Sequence, residues 1–180
     1  TVEIDCTKAY QTAKELGTSF FVYYLHKTIV AVNSIEPFRY RIEEDKIYIY
    51  DTIDVSATIM RKDKTFGFSL IEYSPEFEVF AANSVKEIER IQNTAGLFTR
   101  EFNSENLIHF SAVPWVNFTS LSHARSFIFP DSCPKISFGK MTLSKKGKRK
   151  MAMSIHTHHG LMDAMHVGQM VDYFQEIMNQ

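Results

Sequence analysis

The chain is poor in cysteine and in glycine, and it has no excess of either charge. Its two cysteines, Cys6 and Cys133, stand far apart and in no spacing that suggests a metal clip or a redox pair, which sets aside a disulfide framework and cysteine chemistry. A reducing cytoplasm suits such a chain. Lysine and arginine number 20 against 21 aspartates and glutamates; a nucleic-acid binder held through phosphates would carry a basic excess. No apolar run approaches the roughly 18 to 20 residues of a membrane helix, and the longest, residues 20–32, is broken by His26 and Lys27. Internal repeats, low-complexity linkers and a signal-peptide pattern are all absent. What remains is ordinary globular composition, 44% hydrophobic over 180 residues. That is enough to bury a core, and one domain over residues 1–180 is expected. A single glycosylation triplet, Asn117-Phe118-Thr119, is what chance supplies at this length. The chain opens on Val2-Glu3-Ile4-Asp5, a strand already under way, so a preceding segment is expected to be missing.

Periodicity divides the rest. Residues 6–16 read as a helix stopped by Gly17, and residues 19–33 as a second, more buried one. The period then changes to two: 38–42 and 47–50 form a hairpin around Glu44-Asp45, followed by strands over 53–60 and 65–73. Ser74-Pro75-Glu76 reads as a helix start, with Ser at the cap and Pro in the first turn; the helix runs to about Gln92. Residues 106–113 read as a strand, 115–119 as another, and 120–134 as a long loop. Residues 136–143 and 150–158 pair around the basic tip Lys145-Lys146-Gly147-Lys148-Arg149, which reads as a solvated hairpin end. A last helix begins near Asp163. This order predicts an α+β domain with a large, mainly antiparallel mixed sheet flanked by helices.

Chemistry concentrates in His156-Thr157-His158-His159-Gly160-Leu161-Met162-Asp163. His156 and His158 share one face of a strand, and His159 stands on the other or at its end. Three readings stay open on spacing alone. Two histidines and a carboxylate suit zinc, but such sites need three or four convergent ligands. The histidines are otherwise satisfied polar groups at a strand end, with Asp163 capping a helix. Or one imidazole serves as a general base beside a groove.

His158-His159-Gly160-Leu161-Met162-Asp163 resembles the His-His-x-x-x-Asp-Gly motif of CoA-dependent acyltransferases, and Met165-His166-Val167-Gly168 resembles its extension in chloramphenicol acetyltransferases. Ser111-Ala112-Val113-Pro114-Trp115 is similar to that family's Ser-Ala-Asn-Pro-Trp stretch, and Ser137-Phe138-Gly139-Lys140 to the strand before its hairpin. Glu36-Pro37-Phe38-Arg39 and Thr65-Phe66 fit earlier blocks. The resemblance spans about residues 2–175.

It implies acetyl transfer from acetyl-CoA, the co-substrate, to the primary hydroxyl of chloramphenicol in a bacterial cytoplasm, with no permanently bound cofactor or metal. It implies a homotrimer with active sites between subunits. His159 would be the general base, Ser111 the donor to the oxyanion, and Asp163 a holder of the loop, paired in the family with an arginine from the segment this chain lacks. The His159 ring would be oriented by backbone. Ser137 takes the place of a water-holding threonine, Phe66 matches an aromatic of the antibiotic pocket, and Lys140 lies on the CoA side. Ser111 and Phe66 also read as an ordinary strand serine and a core phenylalanine. Two departures stand out: Ala164 for a glycine, and Met141 for a tyrosine beside CoA. Another small alcohol as acceptor, or an inactive trimeric relative, are the alternatives.

Overall fold

The computed structural model describes residues 1–102, 105–124 and 131–180. In chain order the elements are β1 (Val2–Asp5), α1 (Thr7–Glu15), α2 (Phe20–Ser34), a 3₁₀ turn (Glu36–Arg39), β2 (Tyr40–Glu43), β3 (Lys46–Ile49), β4 (Asp54–Met60) and β5 (Phe66–Phe68). Then follow α3 (Phe77–Gln92), β6 (Leu107–Ala112), β7 (Lys135–Phe138), β8 (Thr142–Leu143), β9 (Arg149–His156) and α4 (Ala164–Met178).

Seven strands form one mixed sheet in the order β1-β9-β7-β6-β4-β5, with β8 beside β9; β2 and β3 make a separate hairpin. β4, β6 and β7 run parallel as neighbours, and the remaining pairs of the sheet are antiparallel. Parallel neighbours need long crossovers. The stretch carrying α3 supplies one, and the stretch between β6 and β7 supplies the other.

The two faces of the sheet differ in kind. One carries Val55, Ala57, Ile108, Phe110, Ile136, Phe138 and Met153, all buried. Tyr24 of α2 and Phe174 of α4 close on Phe138, with ring centroids 4.7 and 6.1 Å away. α2 packs against α1, α3 and α4, which is why its sequence is apolar on nearly every side. The register sets two polar rows on the opposite face: Ser56, His109, Lys135 and His156, then Ser111, Ser137 and Ser154. Loops lie over these rows, as the Phe68–Phe98 stack and the His123–Ser137 contact show.

Several expected elements differ. The strand over 65–73 shortens to β5, because the Ser69 hydroxyl bonds both the amide and the carbonyl of Ala57 and interrupts the ladder. α3 begins at Phe77 with Glu76 at its cap; Ser74 instead accepts from the Glu76 amide in a tight turn before it. Residues 115–119 are a loop, not a strand. Their anchor is the Lys140 amide, which donates to the Val116 carbonyl at 2.8 Å. The strand expected over 136–143 breaks into β7 and β8 at that point. Gly139 permits the close approach, since a Cβ there would meet the Phe118 ring at 3.1 Å. Of the expected loop 120–134, residues 125–130 lie outside the described residues, as do 103–104 of the irregular stretch before β6. The basic tip is exposed over residues 143–148, as expected of a solvated hairpin end, and its base is tethered: Lys148 and Lys150 pair with Asp5 and Glu3 of β1, and Arg149 sits 4.1 Å over the Tyr10 ring.

Candidate active site

β9 ends at His156, and a tight turn follows in which the Leu161 amide donates to the His158 carbonyl at 2.9 Å. The turn delivers His159 to the surface, with its Nδ1 3.3 Å from the Met162 carbonyl. A carbonyl only accepts, so Nδ1 carries the proton of this bond and the Nε2 lone pair is left to act as a base. His159 lines a groove of about 430 Å³ with Val2, Met162, Val167 and Val171. Ser111 does not line that groove.

Asp163 caps α4. Its Oδ1 accepts from the Met165 amide at 2.9 Å and from the His166 amide at 3.5 Å, while the Asp163 amide donates to His166 Nδ1 at 3.2 Å. The Met165 amide is the main reason its carboxyl lies below the usual range. Its Oδ1 also lies 3.0 Å from His166 Nδ1, and among the described residues no arginine pairs with it. Ala164 is the first helical residue. It is not among the described positive-φ positions, so alanine in place of glycine brings no backbone strain.

Ser111 and Ser137 are register partners on β6 and β7. Ser137 is fully buried, and its hydroxyl lies 3.1 Å from Nε2 of His123. The His123 ring meets His156 edge-on at 4.8 Å. Both rings, with His158, border a small cavity of about 120 Å³ that also reaches Asp131 and Lys135. Burial is the main cause that holds His109 and His123 below the ordinary histidine range. His123 belongs to no motif, and its loop position gives no periodic signal; only its placement over Ser137 marks it.

The remaining expected residues fall elsewhere. Lys140 is exposed and lines a cavity of about 610 Å³ with Phe20, Tyr24, Trp115 and Met141. Phe66 is exposed at the sheet edge and lies edge-on to Phe68, ring centroids 5.8 Å apart. The structure thus joins Ser111 with Ser137, and His159 with Asp163, but gives the two pairs no common cavity among those described. Among the described residues, no group of three or more His, Cys, Asp or Glu side chains is arranged to hold a metal ion. No described helix is long and apolar enough to cross a membrane.

This fold is that of the CoA-dependent acyltransferases. A solved structure described as a probable dihydrolipoamide acetyltransferase from Listeria monocytogenes superposes with a TM-score of 0.71 at 13% identity, covering 98% of this chain and 81% of that one. A solved chloramphenicol acetyltransferase superposes with a TM-score of 0.87 at 28% identity, covering 98% and 86%. The sequence profile of chloramphenicol acetyltransferase matches residues 1–175, and the chain belongs to that family. Its relatives include Chloramphenicol acetyltransferase 3 of Escherichia coli, 26% identical over 99% of this chain and 84% of the relative. The Bacillus pumilus chloramphenicol acetyltransferase is 27% identical over 97% and 79%.

Proposed function

We propose that this chain, acting as one domain in a homotrimer, transfers the acetyl group of acetyl-CoA directly to the primary hydroxyl of chloramphenicol, in the bacterial cytoplasm. Family membership supports the reaction class. The observation that carries the mechanism is the His159 ring, tethered at Nδ1 by a backbone carbonyl and with no Nε2 hydrogen-bond partner among the described residues. Nε2 takes the proton of the acceptor hydroxyl as its oxygen attacks the thioester carbonyl. General-base help of this kind contributes roughly 10² to 10⁴-fold. The Ser111 hydroxyl donates to the tetrahedral oxyanion, a contact typically worth about 10²-fold or more. The intermediate collapses, the C–S bond breaks, and the proton held by His159 passes to the departing thiolate. No acyl-enzyme forms.

His159 lines a groove that Ser111 does not, which supports an active site shared between two subunits. The groove of His159 meets the polar sheet face of a neighbour. The cavity beside Lys140, Trp115 and Met141 takes acetyl-CoA, with apolar walls for the pantetheine arm and an ammonium for a phosphate. Ser137 and Phe66 stand on the acceptor side.

A thiol-release assay with acetyl-CoA and chloramphenicol, on wild type and on His159→Ala, tests the proposal. Turnover that vanishes in the variant supports acceptor, reaction and base together. Equal turnover in both removes His159 from the mechanism, and none in a folded wild type removes chloramphenicol as the acceptor.

A further inference from the structure

Glu87 is the one buried carboxylate among the described residues, 6% exposed on α3 near Phe80, Ser84 and Ile91. A buried charge persists only where its oxygens are paired, and both of these are. Oε1 accepts from the Leu70 amide at 2.9 Å and from Nη2 of Arg90 at 2.9 Å. Oε2 accepts from Nε of Arg90 at 2.7 Å and from Nη2 of Arg100 at 2.8 Å. Arg90 belongs to the same helix, but Arg100 comes from the 96–102 segment. Arg90 reaches that segment too, donating to the Thr99 hydroxyl at 2.9 Å and to the Thr99 carbonyl at 3.3 Å. A third guanidinium holds the near end. Arg61, 8% exposed, donates to the Ile91 carbonyl at 2.8 Å and to the Gly96 carbonyl at 2.7 Å. Gly67 leaves room for it, since a Cβ there would stand 2.5 Å from its Nη2.

These bonds hold the segment as a strap along β5, the last strand of the sheet. The Phe68 amide donates to the Leu97 carbonyl at 3.1 Å, and the Phe98 ring stacks on Phe68. Apolar burial contributes little to the hold, for Leu97 is 44% and Phe98 67% exposed. A segment with so little buried apolar surface opens at low cost unless polar bonds close it, and bonds to a charged carboxylate are the strong kind. The strap also borders a space of about 310 Å³ that reaches His109, two residues along β6 from Ser111. Its position therefore shapes the sheet face that carries Ser111. We infer that Glu87 is a positioning residue for the transfer: with Arg90 and Arg100 it latches the strap over the acceptor side, and it touches no substrate itself. This rests on the acetyl-transfer reading above. The consequence is one of populations. When the binding-competent arrangement falls to about a tenth of the molecules, apparent affinity falls about 10-fold, and loss of one charged hydrogen bond is enough for that shift.

Two measurements test it: the thiol-release assay with chloramphenicol, and hydrogen exchange at the Phe68 amide, which needs no substrate. Arg100→Met removes the bond across the strap at a side chain 39% exposed, and leaves Arg90 and Leu70 on Glu87. It is expected to raise the chloramphenicol KM about 10-fold and to speed Phe68 exchange by about the same factor. The acetyl-CoA KM and kcat should stay within about a factor of two, since His159 and Ser111 are untouched. Arg100→Lys keeps an ion pair and should restore most of the wild-type KM. Glu87→Gln should do at least as much as Arg100→Met, and adding Arg100→Met to it should change nothing further, because both act through one bond. Faster Phe68 exchange with an unchanged chloramphenicol KM overturns the inference and leaves acetyl transfer standing. Unchanged exchange overturns it as well, and so does a rise in both KM values with a lower Tm, the mark of a merely structural carboxylate. Variants whose mass by light scattering falls below that of wild type assign the latch to a subunit contact, which also overturns it. A folded wild type that releases no thiol with chloramphenicol removes both the inference and the reading beneath it, whatever the exchange shows.

Discussion

Nδ1 of His159 rests 3.3 Å from the carbonyl oxygen of Met162, while the nearby Asp163 carboxylate turns to the amides of α4. The imidazole is therefore steered by main chain. Where a carboxylate orients the base, its loss costs about 10⁴-fold in kcat. Asp163→Asn keeps a cap acceptor, so kcat should fall by roughly 10-fold or less. A loss of several orders of magnitude would show that the carboxylate acts on the ring after all.

The separation of His159 from Ser111 predicts complementation. His159→Ala and Ser111→Ala trimers, each nearly inactive alone, should regain activity when unfolded together and refolded. Some mixed trimers then pair an intact His159 with an intact Ser111 across one interface. Mixtures no more active than their parents would place both residues in the same subunit's site.

Trp115 is 64% exposed at the mouth of the cavity that holds Lys140 and Met141. An exposed tryptophan at a cavity mouth is a contact surface in waiting. Trp115→Ala should raise the acetyl-CoA KM by about 10-fold and leave the acceptor KM within a factor of two or so. Initial-rate kinetics with each substrate varied in turn separate the two.

Gly139 sits where the 115–119 loop crosses the end of β7. A methyl group there would stand 3.1 Å from the Phe118 ring and 3.2 Å from the Val116 carbonyl oxygen. Overpacking of this kind costs about 1–3 kcal/mol, so Gly139→Ala should lower Tm by about 2–10 °C. Calorimetry of the variant checks this, and an unchanged Tm would mean the loop shifts freely.

Three histidines set the acid response of the fold. Burial is the first cause that lowers His26, His109 and His123 from the ordinary value of 6.5. Their folded forms are neutral, so the unfolded chain binds more protons just below pH 6.5. Their stabilisation is complete above 6.5 and is lost as pH falls from there through the lower folded values. Tm should decline over that window, before most carboxylates titrate. His26→Gln removes one of the three titrations and should make the decline shallower. A Tm flat between pH 6.5 and 5 would contradict the burial of these rings.

Much of this was legible in the sequence because it is local. The bodies of α2, α3 and α4 follow from helical spacing, and the β2–β3 hairpin from alternation. The cap at Asp163 is written in its own residues. The failures share a cause as well. That β4, β6 and β7 lie side by side in parallel is a fact about distant segments, and no period of two or 3.6 encodes it. Ser56, His109 and Lys135 read as three unrelated polar residues until the register sets them in one row. Residues 115–119 have strand-like composition, but the Lys140 amide makes them a loop. His123 was illegible for the same reason: its meaning lies in Ser137, on another strand.

The register of β1 has a further consequence, in time. Val2–Asp5 leave the ribosome long before their partner residues Lys150–Met153 are made. The Asp5 amide then waits for the side chain of Gln175. At about 5–20 residues per second, β1 stays unpaired for roughly 10 to 30 s of synthesis. During that interval the half-made sheet exposes an edge and the apolar face meant for α4. The nascent chain should lean on holding chaperones until α4 emerges, and loss of α4 should leave it aggregating with most of its strands already made.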